Sequence, residues 1–123
     1  MPTRPPSQTS AGATYLDRDA RISALRDAAG RARERMPSIR RMVLFGSLVA
    51  GTPTPRSDAD LLVVVERSAH GAMRHRIPDV LKALSPLPCP IDVFVWTVDE
   101  FEAGRSNSTP LIREALTHGV DLL

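Results

Sequence analysis

Three short apolar segments, each bounded by polar or turn residues, most limit what this chain can fold into. They are residues 42–45, 58–65 and Ile91–Thr97. Short runs rich in valine, isoleucine, leucine and aromatic residues are typical of buried strands. The sequence therefore predicts a small sheet of three main strands, with residues 120–123 as a further edge strand.

The segments before, between and after these strands show features that are typical of helices. After residue 13, apolar residues recur every three or four positions as far as Pro37, which predicts one buried stripe on a first helix. The stripe consists of Ile22, Leu25, Ala29, Ala32 and Met36. Pro78 suits the first turn of a second helix, and Thr109 and Gly119 are expected to begin and end a last one. Thr97 is expected to cap a short acidic turn.

The alternation of these elements predicts an α+β fold, a two-layer α/β arrangement in which a small mixed β-sheet packs against helices. The chain has 123 residues, of which 42% are hydrophobic and 24% charged, the balance of one globular domain. We expect residues 14–123 to form this domain. Residues 1–13, which are rich in proline and polar residues, are expected to form a disordered tail.

Several classes of protein are disfavoured by composition. The longest aliphatic run, residues 61–65, is too short for a membrane span, and residues 1–14 lack the apolar core of a signal peptide. Cys89 is the single cysteine, which excludes an internal disulfide and a cysteine-based zinc site. The three histidines show no metal-ligand spacing. We therefore expect a reduced, cytoplasmic protein without a membrane partner.

Charge is unevenly distributed along the chain. Residues 1–56 carry a net charge of +6 and residues 57–123 a net charge of −4. A basic half can attract phosphates or an acidic partner. However, the arginines are not interleaved with aromatic residues that could stack on bases, so nucleic-acid binding is not expected. A solvated helix face is the simpler interpretation of the arginines.

The first candidate site feature is Gly46-Ser47, directly after a predicted strand. A strand that ends in glycine and serine before a helix leaves backbone N–H groups, and the Ser47 hydroxyl, to bind a phosphate. Gly46 would let the phosphate approach the backbone closely. Small residues after a strand are common, so this pair alone is weak evidence.

Three acidic residues form the stronger signal. Asp58 and Asp60 lie two residues apart on a predicted strand, so both carboxylates leave the same face. Asp92 lies near the start of the next strand, where an acidic residue is disfavoured. If these strands are neighbours, all three carboxylates converge at one end of the sheet. Carboxylate oxygens suit Mg²⁺, and two such ions can clamp the oxygens of an in-line phosphoryl displacement.

These stretches resemble the signature of the DNA polymerase β-type nucleotidyltransferase superfamily, and the short length resembles its minimal, antitoxin-like branch. The residues that carry the resemblance are Gly46-Ser47, Gly51, Ser57-Asp58-Ala59-Asp60-Leu61 and Ile91-Asp92-Val93. The resemblance implies that Asp58, Asp60 and Asp92 are catalytic, metal-binding carboxylates. It also implies that Gly46 and Ser47 contact the triphosphate.

The resemblance implies a function as well. We expect a Mg²⁺-dependent nucleotidyltransferase, with two ions, that transfers AMP from ATP, or another nucleoside monophosphate from its triphosphate, to an acceptor hydroxyl. The acceptor is expected on a helical, toxin-like partner protein, with this chain as the antitoxin. Two alternatives stay open: a module that neutralises its partner by binding alone, and an enzyme that modifies a small molecule such as an antibiotic.

The resemblance is incomplete at Ala50. The first motif of the resemblance runs from Gly46 to Gly51. Members of the minimal branch often carry an arginine immediately before its second glycine, where this chain has Ala50. We expect the contact made by that arginine to be lost or moved, with Arg56 as a candidate. The metal-binding carboxylates are unaffected by this difference.

The predicted tail can be tested by limited proteolysis. Residues 1–13 are expected to bury too little apolar surface to offset the entropy of ordering, so a protease of broad specificity such as proteinase K should cleave within them before it cleaves within the domain. The trimmed protein should keep the unfolding temperature of the whole chain. Protection of residues 1–13, Arg4 among them, against this protease in the free protein, measured by mass spectrometry of the digest, would contradict the prediction.

Overall fold

The structure is a computed structural model that describes residues 11–46, 49, 59–68 and 70–123, with the backbone alone for residues 11–17. The helices in this part of the chain are α1 (Ala11–Arg35), α2 (Met73–Leu84), α3 (Val98–Ser106) and α4 (Pro110–His118). The strands are β1 (Ile39–Phe45), β2 (Ala59–Val65), β3 (Ile91–Thr97) and β4 (Val120–Asp121).

The strands form a mixed sheet in the order β3-β2-β1-β4. β1 pairs in antiparallel orientation with β2 and β4, whereas β2 and β3 are parallel. The predicted α+β class with a small mixed sheet is confirmed. β3 has the predicted bounds, and β1 begins three residues earlier than predicted, at Ile39.

Both faces of the sheet are covered, because neighbouring residues of the central strand β2 point to opposite sides. Leu61 and Val63 belong to the core cluster shared with α1 and α2. Leu62 and Val64 belong to a second cluster, with residues of α3 and α4. A helical layer therefore packs on each face, which goes beyond the two layers expected. Burial on both sides explains why β2 is apolar almost throughout.

The apolar stripe of α1 packs against the sheet as predicted. Leu25, Ala29 and Ala32 are fully buried, and Met36 packs at the edge of the same cluster. α1 begins at Ala11, so its start lies three residues earlier than predicted. The rest of the predicted tail, residues 1–10, lies outside the described residues.

The second helix differs from the prediction at its start. Pro78 lies inside α2, which begins at Met73, rather than in its first turn. The start of α2 is fixed by Arg76, whose side chain is only 6% exposed and donates to the carbonyls of His70, Gly71 and Val95. The sequence does not reveal that Arg76 is buried, because an arginine in a predicted helix is normally a surface residue.

The last two helices begin at the expected residues. Thr97 accepts a hydrogen bond from the Glu100 backbone N–H, and the Glu100 carboxylate accepts one from the Thr97 N–H, a capping box at the start of α3. α3 extends to Ser106 and is therefore longer than the predicted turn. Pro110 begins α4, and Gly119 follows its end. Among the described residues, no helix is long and apolar enough to cross a membrane.

Glu100 also forms an ion pair with Arg76. Two hydrogen bonds, of 2.5 and 3.1 Å, join the Glu100 carboxylate to the Arg76 guanidinium. The hydrogen bond from Arg76 holds the pKa of Glu100 below its ordinary value of 4.5. The pair ties the first turn of α2 to the first turn of α3 and so fixes both helices at the end of β3.

We predict that Glu100→Gln destabilises the protein by about 2 kcal/mol at pH 7, because Arg76 is left buried without a charged partner. The folded-state pKa of Glu100 lies below the unfolded value. The contribution of the pair is therefore complete above about pH 4.5 and is lost as the pH falls through the folded-state value. Urea unfolding at pH 7 and at about pH 3 should show the difference shrinking on acidification.

Glu102→Gln is the matched control, since its pair with Arg105 is more than half exposed on both sides and is expected to contribute little. An equal loss of stability in the two variants at pH 7 would contradict the assigned role of Glu100.

Candidate functional site

The candidate residues lie at the end of the sheet where β1 ends and where β2 and β3 begin. Asp60 of β2 pairs with Phe45 of β1 on one side and with Asp92 of β3 on the other. Gly46 follows Phe45 directly. The second and third strands are neighbours, which is the condition for the carboxylates to converge, and their pairing places Asp60, Asp92 and Gly46 at one end of the sheet.

Asp60 and Asp92 are direct neighbours across the parallel pair β2–β3. Paired residues on adjacent strands lie about 5 Å apart and project to the same face of the sheet. Asp60 is half-buried, whereas Asp92 is exposed. Burial raises the pKa of Asp60 above its ordinary value, and the negative charge of Asp92 raises it further. The two carboxylates therefore repel one another when both are ionised.

Two aromatic residues lie near these carboxylates on the same face of the sheet. The rings of Phe45 and Phe94 lie 6.1 Å apart on the side of the sheet that carries α3 and α4. Phe45 is the register neighbour of Asp60, and Phe94 lies two residues after Asp92. Apolar neighbours reduce the hydration of a carboxylate, which is consistent with burial as the main cause of the raised pKa of Asp60.

Gly46 is required at its position for two reasons. Its φ is +87°, a conformation that residues with a side chain rarely adopt. A Cβ atom at this residue would lie 2.1 Å from Oδ2 of Asp60. The sequence predicts that Gly46 allows the close approach of a phosphate, and the structure shows that it also makes room for the carboxylate.

A cleft of about 390 Å³ lies beside the Gly46 turn. Gly46 and Val49 line it together with Glu114 and His118, which lie one turn apart near the end of α4. Glu114 and His118 are not among the site residues predicted from the sequence. Their spacing of four residues places them on one face of α4, but only the tertiary fold brings that face to the Gly46 turn.

Two predicted site residues, Ser47 and Asp58, lie outside the described residues, as does Ala50. Within the described ranges, no three histidine, cysteine, aspartate or glutamate side chains form a group that could hold a metal ion. The described part of the predicted metal site is thus the pair Asp60 and Asp92. The assignment of all three carboxylates as metal ligands stays a prediction.

The pair nevertheless fits a divalent cation. Carboxylate oxygens are the ligands that Mg²⁺ prefers, and Mg²⁺ is commonly held by one or two carboxylates together with substrate phosphates. The mutual repulsion that contributes to the raised pKa of Asp60 would be relieved by a positive ion between the two side chains.

Comparison with known proteins gives one matching family model and a similar solved structure. The family model of the nucleotidyltransferase domain matches residues 25–121, which include Gly46, Asp60 and Asp92. No curated protein matches the chain. A crystal structure described as a putative nucleotidyltransferase from Sulfolobus solfataricus has a similar fold, with a TM-score of 0.63 and 15% sequence identity. The match covers 91% of this chain and 87% of that one.

The role of Gly46 can be tested by substitution with alanine. Gly46→Ala should destabilise the protein by about 1–3 kcal/mol, because alanine is strained at positive φ and its Cβ would displace the Asp60 carboxylate. Gly30→Ala is the matched control: an added Cβ meets nothing within 4 Å on α1. That variant should gain up to about 1 kcal/mol from helix propensity. Urea unfolding that shows Gly46→Ala to be as stable as wild type would contradict this account.

Proposed function

We propose a specific reaction for this chain, which belongs to the nucleotidyltransferase domain family. Family membership indicates nucleotidyl transfer from a nucleoside triphosphate. The reaction that we propose is the Mg²⁺-dependent transfer of AMP from ATP to an acceptor hydroxyl. The observation that carries it is the pairing of Asp60 with Asp92 at the sheet end where Gly46 contacts Asp60.

The proposed metal ligands are Asp58, Asp60 and Asp92. Asp58 directly precedes β2 in the sequence, two residues before Asp60. Bound Mg²⁺ would supply positive charge to the phosphate oxygens and to the attacking oxygen. The Gly46-Ser47 turn is proposed to hold the triphosphate with its backbone N–H groups and the serine hydroxyl.

Asp92 is proposed to receive the acceptor. It is exposed, whereas Asp60 is half-buried against Gly46, so Asp92 is the more accessible of the two carboxylates. In the proposed step the acceptor oxygen forms a bond to the α-phosphorus of ATP, and the bond from this phosphorus to the bridging oxygen breaks. Pyrophosphate leaves with that electron pair, and the acceptor proton passes to Asp92.

We propose that another protein presents the acceptor hydroxyl. The described residues form one sheet and its flanking helices, which is the arrangement needed to build the nucleotide site itself. The similarity to the minimal branch favours a helical, toxin-like partner that this chain adenylylates as an antitoxin. Neutralisation by binding alone is the second candidate, favoured by Ala50 in place of an arginine. The retained pair of carboxylates argues against it.

Thermal unfolding with and without Mg²⁺–ATP tests the assignment of the carboxylates. Wild type should gain stability with Mg²⁺–ATP by mass action, and Asp60→Asn and Asp92→Asn should gain much less. The raised folded-state pKa of Asp60 means that the ionised pair costs stability at neutral pH, and this cost fades as the pH falls. Without ligand at pH 7, both variants should therefore be at least as stable as wild type.

Asp27→Asn on the exposed face of α1 is the matched control, since it makes the same charge change away from the site. Its Mg²⁺–ATP shift should equal that of wild type. Equal ligand shifts in wild type and both site variants would contradict the metal-site assignment and, with it, the proposed reaction.

A further inference from the structure

We propose that Arg31 and Arg35 of α1 are positioning residues for Asp92, a role that rests on the function proposed above. Both side chains donate hydrogen bonds to backbone carbonyls where α2 ends and the connection to β3, residues 85–90, begins. Asp92 is the second residue of β3. Through the connection, this arginine pair fixes the start of β3 and therefore the place of Asp92 beside Asp60.

The arginine pair contacts four consecutive carbonyls. They belong to Ala83, Leu84, Ser85 and Pro86. Arg35 donates to the first and third of them, over 3.1 and 2.7 Å, and Arg31 donates to the second and fourth, over 3.4 and 3.0 Å. The last carbonyls of a helix have no partner within that helix. α1 supplies partners for the last two carbonyls of α2 and for the first two of the connection, so it holds both segments in place.

The connection transmits this anchoring because its backbone is stiff. Residues 86, 88 and 90 are prolines, whose rings fix φ, and the residue before each proline is restricted as well. Leu87, Cys89 and Ile91 are half-buried and pack against the core cluster that α1 and α2 share with the sheet. Few backbone rotations are left to absorb a displacement of Pro86, so the displacement reaches the start of β3.

The start of β3 needs this support because charge opposes its pairing there. β3 lies at the edge of the described sheet, in which it pairs with β2 alone. At Asp60 and Asp92 this pairing brings two carboxylates side by side, and like charges on paired residues destabilise a sheet. The arginine pair holds β3 in register against this repulsion, which keeps the two carboxylates beside one another for a shared divalent cation.

Equilibrium titration with Mg²⁺–ATP tests this role, with the affinity of each variant referred to its folded fraction from circular dichroism. The double variant Arg31→Ala, Arg35→Ala should bind about tenfold more weakly than wild type, and Arg35→Ala alone about threefold more weakly. Each arginine donates through a single nitrogen, which a lysine ammonium can replace. Arg31→Lys with Arg35→Lys should therefore bind within about threefold of wild type.

Coupling to Asp92 separates positioning from a general loss of stability. In the Asp92→Asn background, the two arginine-to-alanine substitutions should change the Mg²⁺–ATP affinity by less than about twofold, because the carboxylate that they position is already absent. Arg33→Ala is the matched control, since it removes the same charge from an exposed position between the arginine pair on α1. It should bind within about twofold of wild type.

Three results would overturn the role of the arginine pair. They are an equal loss of affinity with and without the Asp92 carboxylate, an equal loss in Arg33→Ala, and no rescue by lysine. Wild-type binding of Mg²⁺–ATP in the same titration keeps these results distinct from a failure of the proposed function, which would show as no binding to wild type.

Discussion

The parallel pairing of β2 with β3 is the contact on which the candidate site depends. It alone places Asp60 beside Asp92, since the two residues are far apart in sequence. A parallel pair requires a crossover connection, which α2 provides. The buried side chain of Arg76 holds the start of α2 to the end of β3 and to Glu100. The ion pair at one end of the sheet thus supports the geometry of the carboxylates at the other end.

The site itself is unfavourable for the folded chain without a ligand. Asp60 is half-buried, its pKa is raised by burial and by Asp92, and Gly46 adopts a positive φ against its carboxylate. Such features are typical of functional sites, where stability is given up for binding or catalysis. The surrounding core, which covers both faces of the sheet, supplies the stability that tolerates this arrangement.

Much of this arrangement could be predicted from the sequence, because local chemistry determines it. An apolar run predicted β3 with its observed bounds. Thr109 and Pro110 predicted the start of α4, and Thr97 was expected to cap the turn that begins α3. Asp60 and Asp92 lie in two strands that the sequence predicts, and the register shows that these strands are neighbours and that the two residues pair.

The remaining features depend on tertiary contacts. Arg76 has the sequence pattern of a surface residue and is buried only through partners in three other segments. Glu114 and His118 reach the site because α4 packs beside β1 and ends near the Gly46 turn. Pro78 suggested a later helix start, and the contacts of Arg76 override that signal. None of these features has a signature within a short window of sequence.

The most direct measurement is transfer of label from ATP to protein. Wild type is incubated with Mg²⁺, a lysate of the source organism and ATP labelled either at the α- or at the γ-phosphate. We expect one protein band that is labelled with the α-label and carries no label from the γ-phosphate. The band should be absent with Asp92→Asn. Absence of any α-labelled product, or equal labelling from the γ-phosphate, would contradict adenylyl transfer to a protein acceptor.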